Sequence, residues 1–461
     1  MGKKLLLINP ADLSKLNATS IGVFVLPPPS LAYLAALTPS DWDIKIIDEN
    51  VESIGFEDAE LVGITAMTSN APRAYEISEQ YRRKGIKTVM GGVHASMLYD
   101  EAIQYVDSIV IGEAESVWQT LLHDFEKKDL KQFYRGDRIS LENLVWPRND
   151  LYSNRYRFKA SLQTARGCPM DCEFCSVTTF HGRTYRQRPV EEVLDEIETL
   201  NCREFFFSDD NLLGYGKNAE ERAIRLFRGM IDRGLNKRWV SQIGIDFANN
   251  PEVLSLASKA GCFAVLIGFE SINEESLQAM HKVRNLKLGV DNYKEIIKSI
   301  HNHGIRIDGA FVFGSDGDKK DVFLRSMEFI LDTRIDAAQL TVLTPFPGTR
   351  LYDRLRSEGR LLATNYPDDW KHHDLFEVVF SPKHMTPVEL EQGVRQVYEH
   401  VGSRLTSIKR ALDVLVQTKS LDLKGAAFIY QWNRGYRSFW MNKYLDVRNE
   451  RSSETMVSVP A

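Results

Sequence analysis

The sequence predicts an α/β chain in three parts: an N-terminal Rossmann-like parallel sheet, a partial (β/α)6 barrel of the TIM type, and a helical C-terminal region. Short apolar runs alternate with helical patterns to about residue 125, six strand-helix units follow in about 200 residues, and the strand pattern stops after about residue 365. Such alternation with short connections implies parallel strands covered on both faces by helices. A chain of 461 residues, 43% hydrophobic and 26% charged, is globular in composition and too long for one small core.

The first strand is expected over residues 5–8, in MGKKLLLINP, where Asn9 and Pro10 end the apolar run too early for a signal-peptide core. A helix at 30–37, strands at 44–47 and 61–65, a helix at 71–84, strands at 88–90 and 108–111, and a helix from Ser116 follow. No stretch approaches the roughly 20 uninterrupted apolar residues of a membrane span, since Pro27, Pro28 and Pro29 break the run from Val23 to Leu37. Open parallel sheets bind ligands beyond the carboxyl ends of their strands. The residues there are Asn9-Pro10, Asp48-Glu49-Asn50, Thr68-Ser69-Asn70, Gly91-Gly92-Val93-His94 and Gly112-Glu113-Ala114-Glu115. Glycines at such ends let the backbone approach a ligand closely.

A polar connection over 127–154, with Gly136 and Pro147, reads as a linker, and the domains are placed at 1–140, 155–365 and 366–461. Barrel strands are expected at 160–164, 204–208, 239–243, 264–268, 306–313 and 338–343. Between the first two, Val190, Val193, Leu194, Ile197 and Leu200 fall on one helical face. In this architecture the chemistry sits at the C-terminal strand ends. Thr386-Pro387-Val388-Glu389 reads as a capping box opening a helix through Tyr398.

Three of the five cysteines, Cys168, Cys172 and Cys175, lie within eight residues. That is the usage of a metal site in a reducing cytosol, not of a disulfide framework. They stand in Ala165-Arg166-Gly167-Cys168-Pro169-Met170-Asp171-Cys172-Glu173-Phe174-Cys175, directly after the first barrel strand. Three thiolates so spaced suit one cubane iron–sulfur cluster, each binding one iron and leaving the fourth open. Two alternatives stand beside this: a zinc shell closed by His181, and three buried thiols without a ligand. Cys202 and Cys262 sit in or beside apolar runs and read as core.

The C-x3-C-x2-C pattern, with Phe174 before the last cysteine, resembles the signature of the radical S-adenosylmethionine (SAM) superfamily. The resemblance implies a [4Fe–4S] cluster on Cys168, Cys172 and Cys175 and reductive cleavage of SAM to a 5′-deoxyadenosyl radical. It assigns Ser208, Asp209 and Asp210 to the methionyl amino group, and Gln242, Glu270 and Ser271 to strand-end contacts such as the ribose. Segments reaching Gly314 and beginning at Thr344-Pro345 then line the adenine. The N-terminal layout resembles the cobalamin-binding domain fused to one branch of the superfamily, which implies cofactor contacts from Asn9, Thr68, Ser69, Gly91, Gly92, His94, Gly112 and Glu113. No D-x-H-x-x-G occurs, so cobalamin is expected without a protein histidine below the metal. The C-terminal region is loosely similar to that of hopanoid methyltransferases.

The expected reaction is cobalamin-dependent methylation of an unactivated carbon in a small-molecule or lipid substrate, with flavodoxin or ferredoxin as electron donor. Radical oxidation, cyclisation or rearrangement is the alternative, and a non-enzymatic metal-binding protein is the second. The net charge of −5 gives no global field for nucleic acid, and no nucleic-acid partner is expected. From Val401 onward, ten Lys or Arg stand against five Asp or Glu, interleaved with Phe428, Tyr430, Trp432, Tyr436, Phe439, Trp440 and Tyr444. Packing on the barrel, a membrane-surface contact and nucleic-acid binding all suit that tail. The location expected is cytoplasmic, with a peripheral membrane contact left open by the tail.

Overall fold

The computed structural model describes residues 3–11, 26–53, 55–417 and 423–438. Phe439, Trp440 and Tyr444 of the tail lie outside the described residues.

Strands β1 (Lys3–Asn9), β2 (Trp42–Asp48), β3 (Leu61–Thr65), β4 (Lys87–Gly91), β5 (Ser108–Gly112) and β6 (Phe133–Gly136) form one parallel sheet in the order β2-β1-β3-β4-β5-β6. The run of apolar residues in β1 reflects burial on both faces. Leu5 and Leu7 pack with Leu31 and Trp118, whereas Leu6 and Ile8 pack with Tyr75 and Ala95. The sixth strand falls inside the stretch expected to be linker. It is a four-residue edge strand with only Tyr134 buried, so it carries no apolar run for a sequence reading to find.

The second sheet begins with β7 (Ser161–Leu162). A small antiparallel ladder of β8 (Ala165–Arg166) and β9 (Arg186–Gln187) follows, a feature not anticipated from sequence. Strands β10 (Glu204–Phe207), β11 (Arg238–Ile243), β12 (Cys262–Glu270), β13 (Arg306–Phe313) and β14 (Ala337–Val342) complete an open parallel sheet in the order β14-β13-β12-β11-β10-β7. Its helix-covered face holds Phe205, Phe207 and Trp239.

On the other face, Phe206, Val240, Ala264 and Ala337 pack against Phe428, Ile429 and Trp432 of the helix at 423–438. That helix fills the half of the concave face near the strand starts. Residues two further along the same face, Gln242, Leu266 and Gln339, line an open cavity instead. The capping box at Thr386 forms, with Thr386 Oγ1 accepting from Glu389 N at 3.2 Å, and opens the helix Pro387–Val401. Among the described residues, no helix is long and apolar enough to cross a membrane.

Candidate active site

The cysteines lie on the loop between β8 and β9, whose register pairs Ala165 with Gln187 and Arg166 with Arg186. Gly167 makes the departure at φ 89°, where a Cβ would lie 2.5 Å from the Thr184 carbonyl oxygen, so only glycine fits this neck. Two acids from the end of β10 fix the entry. Asp209 accepts from Thr164 N at 2.8 Å and Ala165 N at 2.5 Å, and Asp210 accepts from Gly167 N at 3.0 Å. Beyond the neck, Glu173 N donates to the Met280 carbonyl at 3.1 Å, and Arg354 holds the Glu173 carboxylate.

Cys168, Cys172 and Cys175 open into one cavity of about 280 Å³ with Phe174, Asp210, Gln242, Glu270 and Lys282. Burial raises the Cys168 thiol and pushes Cys172 up to about 11, with Lys282 pulling both the other way. Such thiols become thiolates when a metal supplies the compensating charge. Among the described residues, no three His, Cys, Asp or Glu converge on a single metal ion. Three thiols that open into one cavity suit the separate corners of a cubane cluster. The zinc reading loses its fourth ligand: His181 hydrogen-bonds Glu113 at 3.2 Å and lines a different pocket.

Glu270 ends β12 at φ 61°, a strained conformation for a non-glycine residue, and its Oε1 accepts from Lys282 Nζ at 2.6 Å. Burial lowers the Lys282 ammonium, but Glu270 and the Cys172 thiol outweigh it and hold the ammonium above the ordinary lysine value. The cavity thus carries a paired cation and anion, a free carboxylate edge from Asp210 and three thiols, an inventory suited to a zwitterionic amino acid beside a cluster.

A second pocket of about 270 Å³ lies at the C-terminal ends of β3, β4 and β5. Thr65, Met67, Gly91, Gly92, Val93, Gly112 and Glu113 line it from the sheet, and Tyr33 and Trp118 from flanking helices. It is mostly apolar and glycine-floored, a cradle that suits the flat face and tail of a corrinoid.

Several residues singled out from sequence stand apart from the two cavities. Asn9 Nδ2 donates to Asp48 at 3.0 Å, Thr68 is buried, and Ser69 follows it in a short turn. His94 is fully buried, with Nε2 2.9 Å from the Tyr75 phenolic oxygen and its ring edge against Trp370, and it does not line the pocket. Ser208 and Asp209 lie behind the cysteine cavity, Ser271 Oγ accepts from Asn273 N at 3.1 Å, Gly314 N donates to Asp318 at 2.8 Å, and the Pro345 carbonyl accepts from His373. Lys282, Arg354, Arg166 and Phe180 were not foreseen, since a lone Lys or Arg between helical patterns carries no spacing signal. Cys262 is buried and Cys202 packs against the core.

An open parallel barrel with three thiols at its mouth, joined to a glycine-floored Rossmann-like pocket, defines a radical SAM enzyme with a cobalamin-binding domain. Residues 162–330 match the Radical SAM superfamily and residues 19–122 the B12 binding domain. The chain is 31% identical to the bacteriochlorophyllide d C-12(1)-methyltransferase of Chlorobaculum tepidum over 88% of its own length and 89% of that protein. It is 26% identical to the hopanoid C-2 methylase of Rhodopseudomonas palustris over 73% of its own length and 66% of that protein. The fold matches that of TsrM from Kitasatospora setae, a radical SAM methyltransferase solved with cobalamin and a [4Fe–4S] cluster, at a TM-score of 0.67 and 14% identity, covering 97% of this chain and 100% of that one. The chain belongs to the cobalamin-binding radical SAM family.

Proposed function

We propose that the protein methylates an unactivated carbon of a small molecule or lipid, using cobalamin and radical SAM chemistry together. One observation carries this reading. In the single helix Ser176–His181, which starts beside Cys175, Val177 and Thr178 line the cysteine cavity while Phe180 and His181 line the glycine-floored pocket. A substrate held at this helix meets both cofactor sites at once.

When bound, the cluster supplies the electron that cleaves SAM to a hydrogen-abstracting radical, and cobalamin supplies the methyl group. Cys168, Cys172 and Cys175 would hold the cluster, and Asp210 with the Glu270–Lys282 pair would orient the amino and carboxylate groups of SAM. Phe174, Ile243 and Leu266 keep the cavity wall apolar, which limits water at the reacting carbon. The relatives named above act on a bacteriochlorophyllide and a hopanoid, so both classes are the first substrates to try. Flavodoxin or ferredoxin is the electron donor proposed, in a cytoplasmic setting.

The test incubates anaerobically reconstituted protein with reduced flavodoxin, methyl-deuterated SAM and each candidate substrate. Transfer of one trideuteromethyl group with formation of both 5′-deoxyadenosine and S-adenosylhomocysteine is expected. Formation of 5′-deoxyadenosine with a change of hydrogens alone overturns methylation in favour of a radical oxidation, cyclisation or rearrangement.

A further inference from the structure

Glu113 stands at the end of the N-terminal sheet, immediately after β5, and its side chain is 4% exposed. Position alone assigns it to the corrinoid. Its hydrogen bonds say otherwise, because both carboxylate oxygens are taken by cations of the barrel. Arg186 donates to Oε2 from NH1 at 3.0 Å and to Oε1 from NH2, His181 Nδ1 lies 3.2 Å from Oε1, and Arg166 NH1 lies 3.2 Å from Oε2. Ile139 N adds a fifth contact at 3.0 Å. Burial alone would raise this carboxyl, but the His181 and Arg186 hydrogen bonds and the Arg166 charge hold it well below the usual carboxylate range.

The three partners are not scattered. Arg166 and Arg186 face each other across the β8–β9 ladder, the neck of the loop that carries every cluster cysteine. His181 closes the helix that starts beside Cys175. One carboxylate of the N-terminal domain therefore ties both stems of the cysteine loop and its following helix. The turn that bears it, Gly112-Glu113-Ala114-Glu115, also lines the corrinoid pocket. Glu115 adds a second attachment to the same neck, with Arg166 NH2 at 2.8 Å from its Oε1.

We propose that Glu113 is a positioning residue that couples occupancy of the corrinoid pocket to the order of the cysteine loop. A ligand that fills the pocket restrains the 112–115 turn, and charge-assisted hydrogen bonds carry that restraint to the loop neck. The consequence is that the cysteine loop is held in its ordered form more firmly when the pocket is filled than when it is empty. This inference rests on the corrinoid reading of the pocket.

Hydrogen exchange on corrinoid-free protein, with and without added hydroxocobalamin, separates the two ideas without any turnover. In the wild type, corrinoid is expected to slow exchange over 89–93 and, by about fivefold or more, over 167–175, the cysteine stretch that does not itself line the pocket. In Glu113→Gln the slowing over 89–93 persists and the slowing over 167–175 is lost. Arg186→Gln, which leaves the pocket turn intact, is expected to do the same and decides the matter if Glu113→Gln does not fold. Slowing over 167–175 that survives both substitutions overturns the coupling. Loss of corrinoid protection over 89–93 in Glu113→Gln but not in Arg186→Gln also overturns it, making Glu113 a cofactor ligand. Absence of protection over 89–93 in the wild type overturns the corrinoid reading itself.

Discussion

Arg354 grips Glu173, the residue that follows Cys172, with Nε 2.7 Å from Oε1 and NH2 3.1 Å from Oε2. The same guanidinium reaches Asp316 at 2.7 Å, and Arg360 braces Asp316 from the other side at 2.7 Å. The cysteine loop is thus fastened at its far end by the helix Arg350–Ser357, as Asp209 and Asp210 fasten its neck. A rigid loop would limit how far each thiol strays from the iron proposed for it, which a site with three protein ligands needs to keep its metal.

Arg354→Gln is therefore expected to loosen the loop. Losing a bidentate charge-assisted contact that is about a third exposed costs roughly 1–2 kcal/mol, a factor of about 5–30 in an equilibrium. The reconstituted variant should surrender iron to a chelator several-fold faster than the wild type, and Arg354→Lys should fall between them. An unchanged rate of iron release removes Arg354 from the support of the cluster.

The Glu270–Lys282 pair lends itself to a double-mutant cycle. Lys282→Met leaves a largely buried carboxylate unpaired beside the cysteines and is expected to cost about 2–4 kcal/mol in the protein without cofactors. Lys282→Met with Glu270→Gln removes both charges and should recover most of that loss, to within about 1 kcal/mol of the wild type. Chemical denaturation of the four proteins checks this, and additive losses would mean that the two side chains act separately. Both single variants should also retain less SAM by equilibrium dialysis.

In the glycine-floored pocket proposed for the corrinoid, two neighbouring glycines should behave differently. A Cβ on Gly91 meets only Val110, at an ordinary 3.8 Å, whereas one on Gly92, at φ 95°, would lie 2.7 Å from the Ala66 carbonyl oxygen. Gly91→Leu is expected to fold normally and fill the pocket, so that corrinoid content falls while iron content holds. Gly92→Ala is expected to destabilise the protein itself, by about 1–3 kcal/mol. Normal corrinoid content in Gly91→Leu would place the cofactor elsewhere.

Much of this was legible from the residues because the signals were local. The three thiols share one loop, and the apolar runs of β3 and β13 are long enough to mark strands buried on both faces. Hidden features depend on pairs distant in sequence. Nothing near Glu113 announces Arg186, and Lys282 gains meaning only when β12 brings Glu270 beside it. His94 looked like a pocket residue because it follows two glycines, yet the helix Val93–Met97 turns it inward to Tyr75. The edge strand β6 was missed because one buried tyrosine makes no pattern.

The C-terminal plug carries a pH dependence of its own. Asp308 lies fully buried on β13, with Oδ2 accepting from Tyr436 at 2.6 Å and Oδ1 without a hydrogen-bond partner among the described residues. Burial lifts its pKa from 3.8 to about 7, against the opposing pull of the Tyr436 hydrogen bond and the Arg410 charge, while Asp336 adds to the rise. An acid whose pKa is higher folded than unfolded binds more protons in the native state. Its contribution is full below 3.8 and is lost as pH climbs towards about 7. The loss is of the order of 4 kcal/mol. Asp308→Asn keeps an acceptor for Tyr436 and cannot ionise, so its stability should change less than that of the wild type between about pH 5 and about pH 8. Thermal midpoints of both proteins at these two pH values test this, and parallel shifts would show that Asp308 does not titrate in that window.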